Sequence, residues 1–268
     1  MNSALKQHWP EYLMEAGELG IFMISACLFA SILQYPGSPV YSAITDPFLR
    51  RLIMGLAMGI TAIALIHSPW GKQSGAHFNP AVTLTFLRLG KIKSWDAFFY
   101  VITQFCGGVM GVLVSSALLG QVVMDPLVNH AVTVPGMSGV AGAFVAELII
   151  SFGLMTVVLT TSNHQNLSRY TGAFAGGLVA TYITFESPIS GMSMNPARTF
   201  GSAVVAQLWT ALWIYFTAPP LGMLSAAEIY LYFKGRSSVL CAKLNHHNNK
   251  RCIFRCGYMQ KQEYDVTI

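Results

Sequence analysis

The sequence predicts an all-α membrane protein: six transmembrane helices plus two re-entrant half-helices in an inverted repeat. Three observations carry this expectation. Of 268 residues, 53% are hydrophobic and only 10% charged, and mean hydropathy is +0.50. Soluble domains average about 25% charged residues, so there is too little charge here to coat a soluble globule. Six apolar stretches approach the roughly 20 residues that cross a hydrocarbon core. The tripeptide Asn-Pro-Ala occurs twice, at Asn79-Pro80-Ala81 and at Asn195-Pro196-Ala197, at matching points of the two halves.

The predicted spans are 12–35, 51–68, 95–119, 140–161, 171–185 and 208–233. The fifth is short and rich in Gly and Thr. Pro36-Gly37-Ser38-Pro39 ends the first span, and Asp125-Pro126 with Pro135-Gly136 breaks the loop after the third. Glu11, Glu15 and Glu18 stand where a cleavable leader carries basic residues, so none is expected. Five cysteines (Cys27, Cys106, Cys241, Cys252 and Cys256) make an odd count, two of them inside apolar runs, which suggests no disulfide framework.

Two shorter helices are predicted at 80–89 and 196–207. At 1.5 Å per residue each covers about 15 Å, half of a ~30 Å hydrocarbon core. Asn is a favoured N-cap, and Pro at the next position gives up an N–H that had no helical partner. One Asn-Pro pair is thus ordinary capping. Two copies of one tripeptide are not: with each residue type at about one in twenty, a given tripeptide is expected roughly 0.03 times in this chain.

The organisation follows. An integral membrane domain covers 1–233, with repeat one at about 11–119 and repeat two at about 140–233. A basic tail fills 234–268. Glu15 and Glu147 occupy equivalent positions in the first and fourth spans. Three spans separate the copies, so the second is upside down relative to the first, an arrangement met in transport proteins. The net charge of +5 has a topological reading. One side would hold Lys6, Lys72, Arg88, Lys91, Lys93, Arg169, Lys234, Arg236, Lys243, Lys250, Arg251, Arg255 and Lys261, and the other only Arg50, Arg51 and Arg198. This bias puts both termini in the cytoplasm of a multi-pass cell-membrane protein. It also accounts for the basic excess without nucleic acid.

The stretches Ser74-Gly75-Ala76-His77-Phe78-Asn79-Pro80-Ala81-Val82-Thr83 and Gly191-Met192-Ser193-Met194-Asn195-Pro196-Ala197-Arg198-Thr199-Phe200-Gly201, with Gln104 and one Glu in each of spans one and four, resemble the aquaporin (major intrinsic protein) family. The likeness extends over nearly all of 11–233. It implies half-helices meeting end to end, one pore per subunit, a homotetramer, and passage of water or small neutral solutes such as glycerol or urea.

The residues agree physically. Two facing half-helix N-termini place about half a positive charge each beside a pore, a barrier to cations and protons. Asn79 and Asn195 can offer N–H donors to passing water. Unwound backbone at Gly75-Ala76-His77 and Gly191-Met192-Ser193 can present carbonyls, which a membrane tolerates where they line a cavity. By resemblance Glu15 and Glu147 brace these loops, and Met58, Ile183, Met192 and Arg198 form the outer filter. That filter is apolar on three sides. Thr199, Ala203 and the pair Tyr215-Phe216 lean toward water over glycerol. A secondary transporter or a closed-pore structural protein is the alternative, but paired amides with little midplane charge favour a channel.

No nucleophile, phosphate loop or cofactor site is evident, so no enzyme is expected. His246-His247 and Cys252-x3-Cys256 have loose spacing for a metal. The favoured reading is a disordered basic tail against anionic lipid, with no metal.

Overall fold

The structure, a computed structural model, describes residues 1–258. Lys261, counted above with the cytoplasmic charges, lies outside the described residues, as does the rest of the tail beyond 258. All regular structure among the described residues is helical. Six long helices are the spans: Asn2–Gln34, Pro47–His67, Ser94–Leu119, Gly139–Ser162, Thr171–Phe185 and Trp213–Lys234. The first starts ten residues before the predicted boundary and carries Pro10 within it. The sixth starts five residues late, because Gln207 turns left-handed (φ 52°) and residues 208–212 form a turn. The short fifth span is preceded directly by a 3-10 turn, Ser168–Tyr170, which lengthens it.

The burial pattern is that of a protein in hydrocarbon. Ile60 and Leu118 are 64% and 75% exposed, whereas Glu15, Glu18, Gln104 and Glu147 are completely buried. Apolar side chains face outward where the solvent is lipid, and polar groups collect where protein can satisfy them.

Packing reproduces the repeat. The first span lies against the third, the fourth against the sixth, and the second against the fifth, which relates the halves. Small residues let these helices touch. A Cβ on Gly107 would stand 2.1 Å from the Ala16 carbonyl, and one on Gly222 would stand 2.3 Å from the Leu148 carbonyl. The two crossings therefore exclude any larger residue.

The half-helices are Pro80–Arg88 and Pro196–Ala206. The first packs on the sixth span and the second on the third, so each repeat holds the broken helix of the other. The first ends in a Schellman motif: Gly90 (φ 73°) donates to the Leu87 carbonyl, and Lys91 donates to Phe86. Ahead of each half-helix stands a shorter helix, Pro69–Ser74 or Ser187–Ser190, ended by a left-handed glycine, Gly75 (φ 100°) or Gly191 (φ 81°). A side chain at either glycine would strain the backbone.

The tail corrects the sequence reading. Residues 236–258 are folded against the membrane domain, at the end where the first helix begins. Arg251 pairs with Glu11, and the backbone N–H of Arg255 donates to the Lys91 carbonyl at 2.9 Å. The Glu11 carboxylate holds the Arg251 guanidinium pKa above its usual value. Val239, Cys241, Ala242, Lys243 and Leu244 are all buried. Chain polarity alone suggested a solvated segment, but its apolar and cysteine side chains find a surface that only the assembled spans provide.

Candidate functional site

Both half-helices begin in the same way. Asn79 Oδ1 accepts from the Ala81 N–H at 2.9 Å, and Asn195 Oδ1 accepts from Ala197 and Arg198 at 3.1 and 3.2 Å. The side-chain nitrogens then cross over. Asn79 Nδ2 donates to the Met194 carbonyl and Asn195 Nδ2 to the Phe78 carbonyl, both at 2.8 Å. Each N-terminus is thus pinned to the loop of the other repeat. A carboxamide nitrogen carries two N–H donors, so each Asn keeps one, and both residues line a common cavity.

Behind the loops the two carboxylates act alike. Glu15 accepts from the His77 N–H (2.9 Å), the Phe78 N–H (2.6 Å) and Gln104 Nε2 (2.7 Å). Glu147 accepts from the N–H groups of Ser193 and Met194 and from Ser190 Oγ, all at 2.7 Å. A tyrosine completes each set: Tyr100 of the third span donates to the Ser74 carbonyl, and Tyr215 of the sixth donates to Ser190. The sequence argument used Tyr215 only for solute preference and Tyr100 not at all, although each stands near the start of its helix. With Ala76 and Met192 donating to Ser74 Oγ and Ser190 Oγ, and Phe78 and Met194 to the carboxylates, these four residues are held at positive φ, between 28° and 57°. This strained backbone persists because the surrounding hydrogen bonds over-determine it.

The cavity has a volume of about 270 Å³ and runs past both Asn-Pro-Ala corners. Ala76, His77, Gly191 and Ser193 line it, as do Met58, Ile183, Met192 and Arg198. Gly75, expected on the wall, is not among the lining residues, and its carbonyl accepts from the Leu244 N–H at 3.1 Å. Arg198 is buried, and its Nη1 has no protein partner.

The second and fifth spans pack closely beside the expected filter residues Met58 and Ile183. A Cβ on Gly59 would meet Gly176 and Ala180, and one on Gly55 would meet Ala180 and Thr184. Arg51 Nε donates to the Thr184 carbonyl at 3.4 Å. Met54 and Met58 lie one helical turn apart on the second span. Both methionines line the cavity. Helix Pro69–Ser74 lies in the join from the second span to Asn79.

His77 differs from its counterpart Ser193. Its Nδ1 meets Thr83 Oγ1 at 3.0 Å, and its Nε2 meets the Ala242 carbonyl of the tail at 2.9 Å. A carbonyl only accepts, so Nε2 carries the proton and Nδ1 accepts from Thr83. Its ring also stacks on Phe254, with centroids 5.5 Å apart.

Two broken helices meeting inside six spans define an inverted-repeat, multi-pass membrane protein. The chain belongs to the major intrinsic protein family: the family profile described as Major intrinsic protein matches residues 6–230. It is similar to aquaporin NIP2-3 of Zea mays, with 33% identity over 216 residues, covering 80% of this chain and 68% of that one. It is also similar to aquaporin NIP6-1 of Arabidopsis thaliana, with 36% identity over 174 residues, covering 65% and 55%. The chain spans about three-fifths of the length of several such relatives, 61% for aquaporin NIP2-2 of Zea mays. The fold matches the aquaglyceroporin of Plasmodium falciparum at a TM-score of 0.67, with 19% identity, over 84% of this chain and 96% of that one.

Proposed function

We propose that this protein is a passive channel for water and small uncharged solutes that excludes protons and ions, and that it is not an enzyme. One observation carries the reading. Two opposed half-helix N-termini, each with an Asn retaining a free N–H, face a single narrow cavity. The helix ends repel cations. A water oxygen taking both Asn donors turns its hydrogens outward, which interrupts a proton-conducting file. The names of similar proteins, aquaporin and aquaglyceroporin, support the same substrate class.

The outer filter is formed by Met58, Ile183, Met192 and Arg198, with Met54 also on the cavity wall. Three apolar walls and a guanidinium with an unpaired donor favour a small neutral molecule that accepts a hydrogen bond. The tail end faces the cytoplasm of the cell membrane, as the Lys and Arg bias directs. The functional unit is a homotetramer with one pore per subunit.

Stopped-flow light scattering on proteoliposomes, comparing water with glycerol gradients, tests the proposal. Fast water flux with a low activation energy and no proton current is expected. Saturation at slow carrier-like turnover, or a proton conductance, overturns it.

A further inference from the structure

The family match ends at residue 230, yet the chain builds a compact structure beyond it. Residues 239–258 contain almost no regular secondary structure, and they cross the end of the cavity where the first helix begins. Leu244 lines the cavity, and its N–H donates to the Gly75 carbonyl at 3.1 Å. The Ala242 carbonyl takes His77 Nε2, and Lys243 Nζ donates to the Lys250 and Arg251 carbonyls at 3.1 and 2.8 Å. An irregular segment this short has little core of its own and ordinarily needs a staple.

Four side chains in it converge. Cys241, His246, Cys252 and Cys256 bring one ligand atom each to within 4.8 Å of all the others. Cys241 Sγ lies 3.5 Å from Cys252 Sγ, and Cys256 Sγ lies 3.0 Å from His246 Nε2. A tetrahedral zinc ion with Zn–S bonds of about 2.3 Å and a Zn–N bond of about 2.0 Å needs ligand separations of roughly 3.5–3.8 Å. The Cys241–Cys252 edge falls within a few tenths of an ångström of that, and the His246–Cys256 edge is about half an ångström short of it. Three sulfurs and one imidazole are a structural zinc set, with no position left open for catalysis. A disulfide would use two of the sulfurs and leave the convergence of the third and of His246 without a purpose.

We propose that Cys241, His246, Cys252 and Cys256 form a tetrahedral zinc site that fastens the C-terminal segment across the cavity, with Leu244 as its stopper. Binding one Zn²⁺ displaces the three thiol protons to solvent and leaves a Cys3His complex of net charge −1. The loaded protein is closed and the metal-free protein open. The closure half rests on the channel reading; the metal site does not.

The full chain, purified and loaded with Zn²⁺ or Co²⁺, supplies the test. One metal per chain is expected, with the intense visible ligand-field and sulfur-to-cobalt charge-transfer bands of tetrahedral thiolate coordination. Cys252→Ser and Cys256→Ser lie in half-buried positions and should each weaken binding at least about tenfold, since even outer-shell changes reach that size. Cys106→Ser, in the third span, should bind as the parent does. Metal content unaffected by the two tail substitutions, or a tail disulfide found by mass spectrometry in the freshly purified protein, overturns the site. In proteoliposomes, chelation should raise water flux in the parent and leave the already fast Cys252→Ser and Cys256→Ser unchanged. Leu244→Ala should keep one metal per chain and yet conduct. A loaded parent as permeable as the chelated one overturns the closure. A protein that binds one metal but conducts in no state, Leu244→Ala included, overturns the channel reading and leaves the zinc site standing.

Discussion

The two re-entrant loops start from nearly the same sequence and end in different surroundings. Both have a left-handed glycine, an Asn N-cap, a Pro at the first helical position, a supporting Glu and a Tyr on the preceding serine carbonyl. In the first loop the position after Ala81 is Val82, His77 is engaged by the tail, and a second buried acid, Glu18, accepts from Ser74 Oγ at 3.0 Å. In the second loop Arg198 takes the Val82 position, Ser193 replaces His77, and Ser190 turns to Glu147 itself. Shared residues build the backbone corner. The residues that differ set what each mouth of the cavity does: one carries a fixed cation, the other a cover.

The largest effect should come from what the loops share. Glu15→Ala and Glu147→Ala each leave three donors without their acceptor, a loss of on the order of 3 kcal/mol or more at ~1–3 kcal/mol per orphaned group. Thermal unfolding in detergent should show both variants strongly destabilised. Glu18→Ala, which strands only Ser74 Oγ, should be much milder, and equal losses in all three would erase the distinction between bracing and accessory acids.

Next come the caps. Asn79→Ala and Asn195→Ala remove an N-cap worth about 1 kcal/mol and orphan one carbonyl of the opposite loop at a similar cost of ~1 kcal/mol. Because the bonds cross, the two losses should be of similar size in the same unfolding assay, with Asn195→Ala the larger because its Oδ1 takes two capping N–H groups and that of Asn79 one. The reverse order would show that the cross-links are not equivalent.

Arg198→Val gives the second corner the residue of the first. It removes a fixed charge and several donors from the outer constriction. Water should still pass, while glycerol permeability relative to water rises on the order of tenfold, about 1.4 kcal/mol of discrimination. Unchanged selectivity in a folded variant would take Arg198 out of the filter.

The smallest effect belongs to the tail contact. His77→Ser makes the first loop resemble the second and removes the one side-chain hydrogen bond from His77 to the tail, ~1 kcal/mol, together with the Phe254 stack and the bond to Thr83. Amide hydrogen exchange should speed up across residues 240–258 and stay unchanged at Met192 and Ser193. Uniform acceleration in both loops would mean that the two mouths are coupled.

Sequence by itself determined the elements whose causes are local. Apolar length placed the spans, and the six predicted helices match the observed ones apart from their ends. Asn-Pro capping placed the half-helix starts at Asn79 and Asn195, because an N-cap bonds to an N–H two or three residues away. The duplicated motif implied the inverted repeat. Tertiary structure decided what depends on contacts between distant residues. The crossing bonds from Asn79 to Met194 and from Asn195 to Phe78 are invisible to local pattern. That Met54 joins Met58 on the cavity wall was likewise set by how the spans pack. The tail looked polar and unstructured because its burial surface is not in the tail. Gly75, His77 and Lys91 supply that surface from more than 150 residues away, and a segment with no core of its own takes a fold only once those partners are in place.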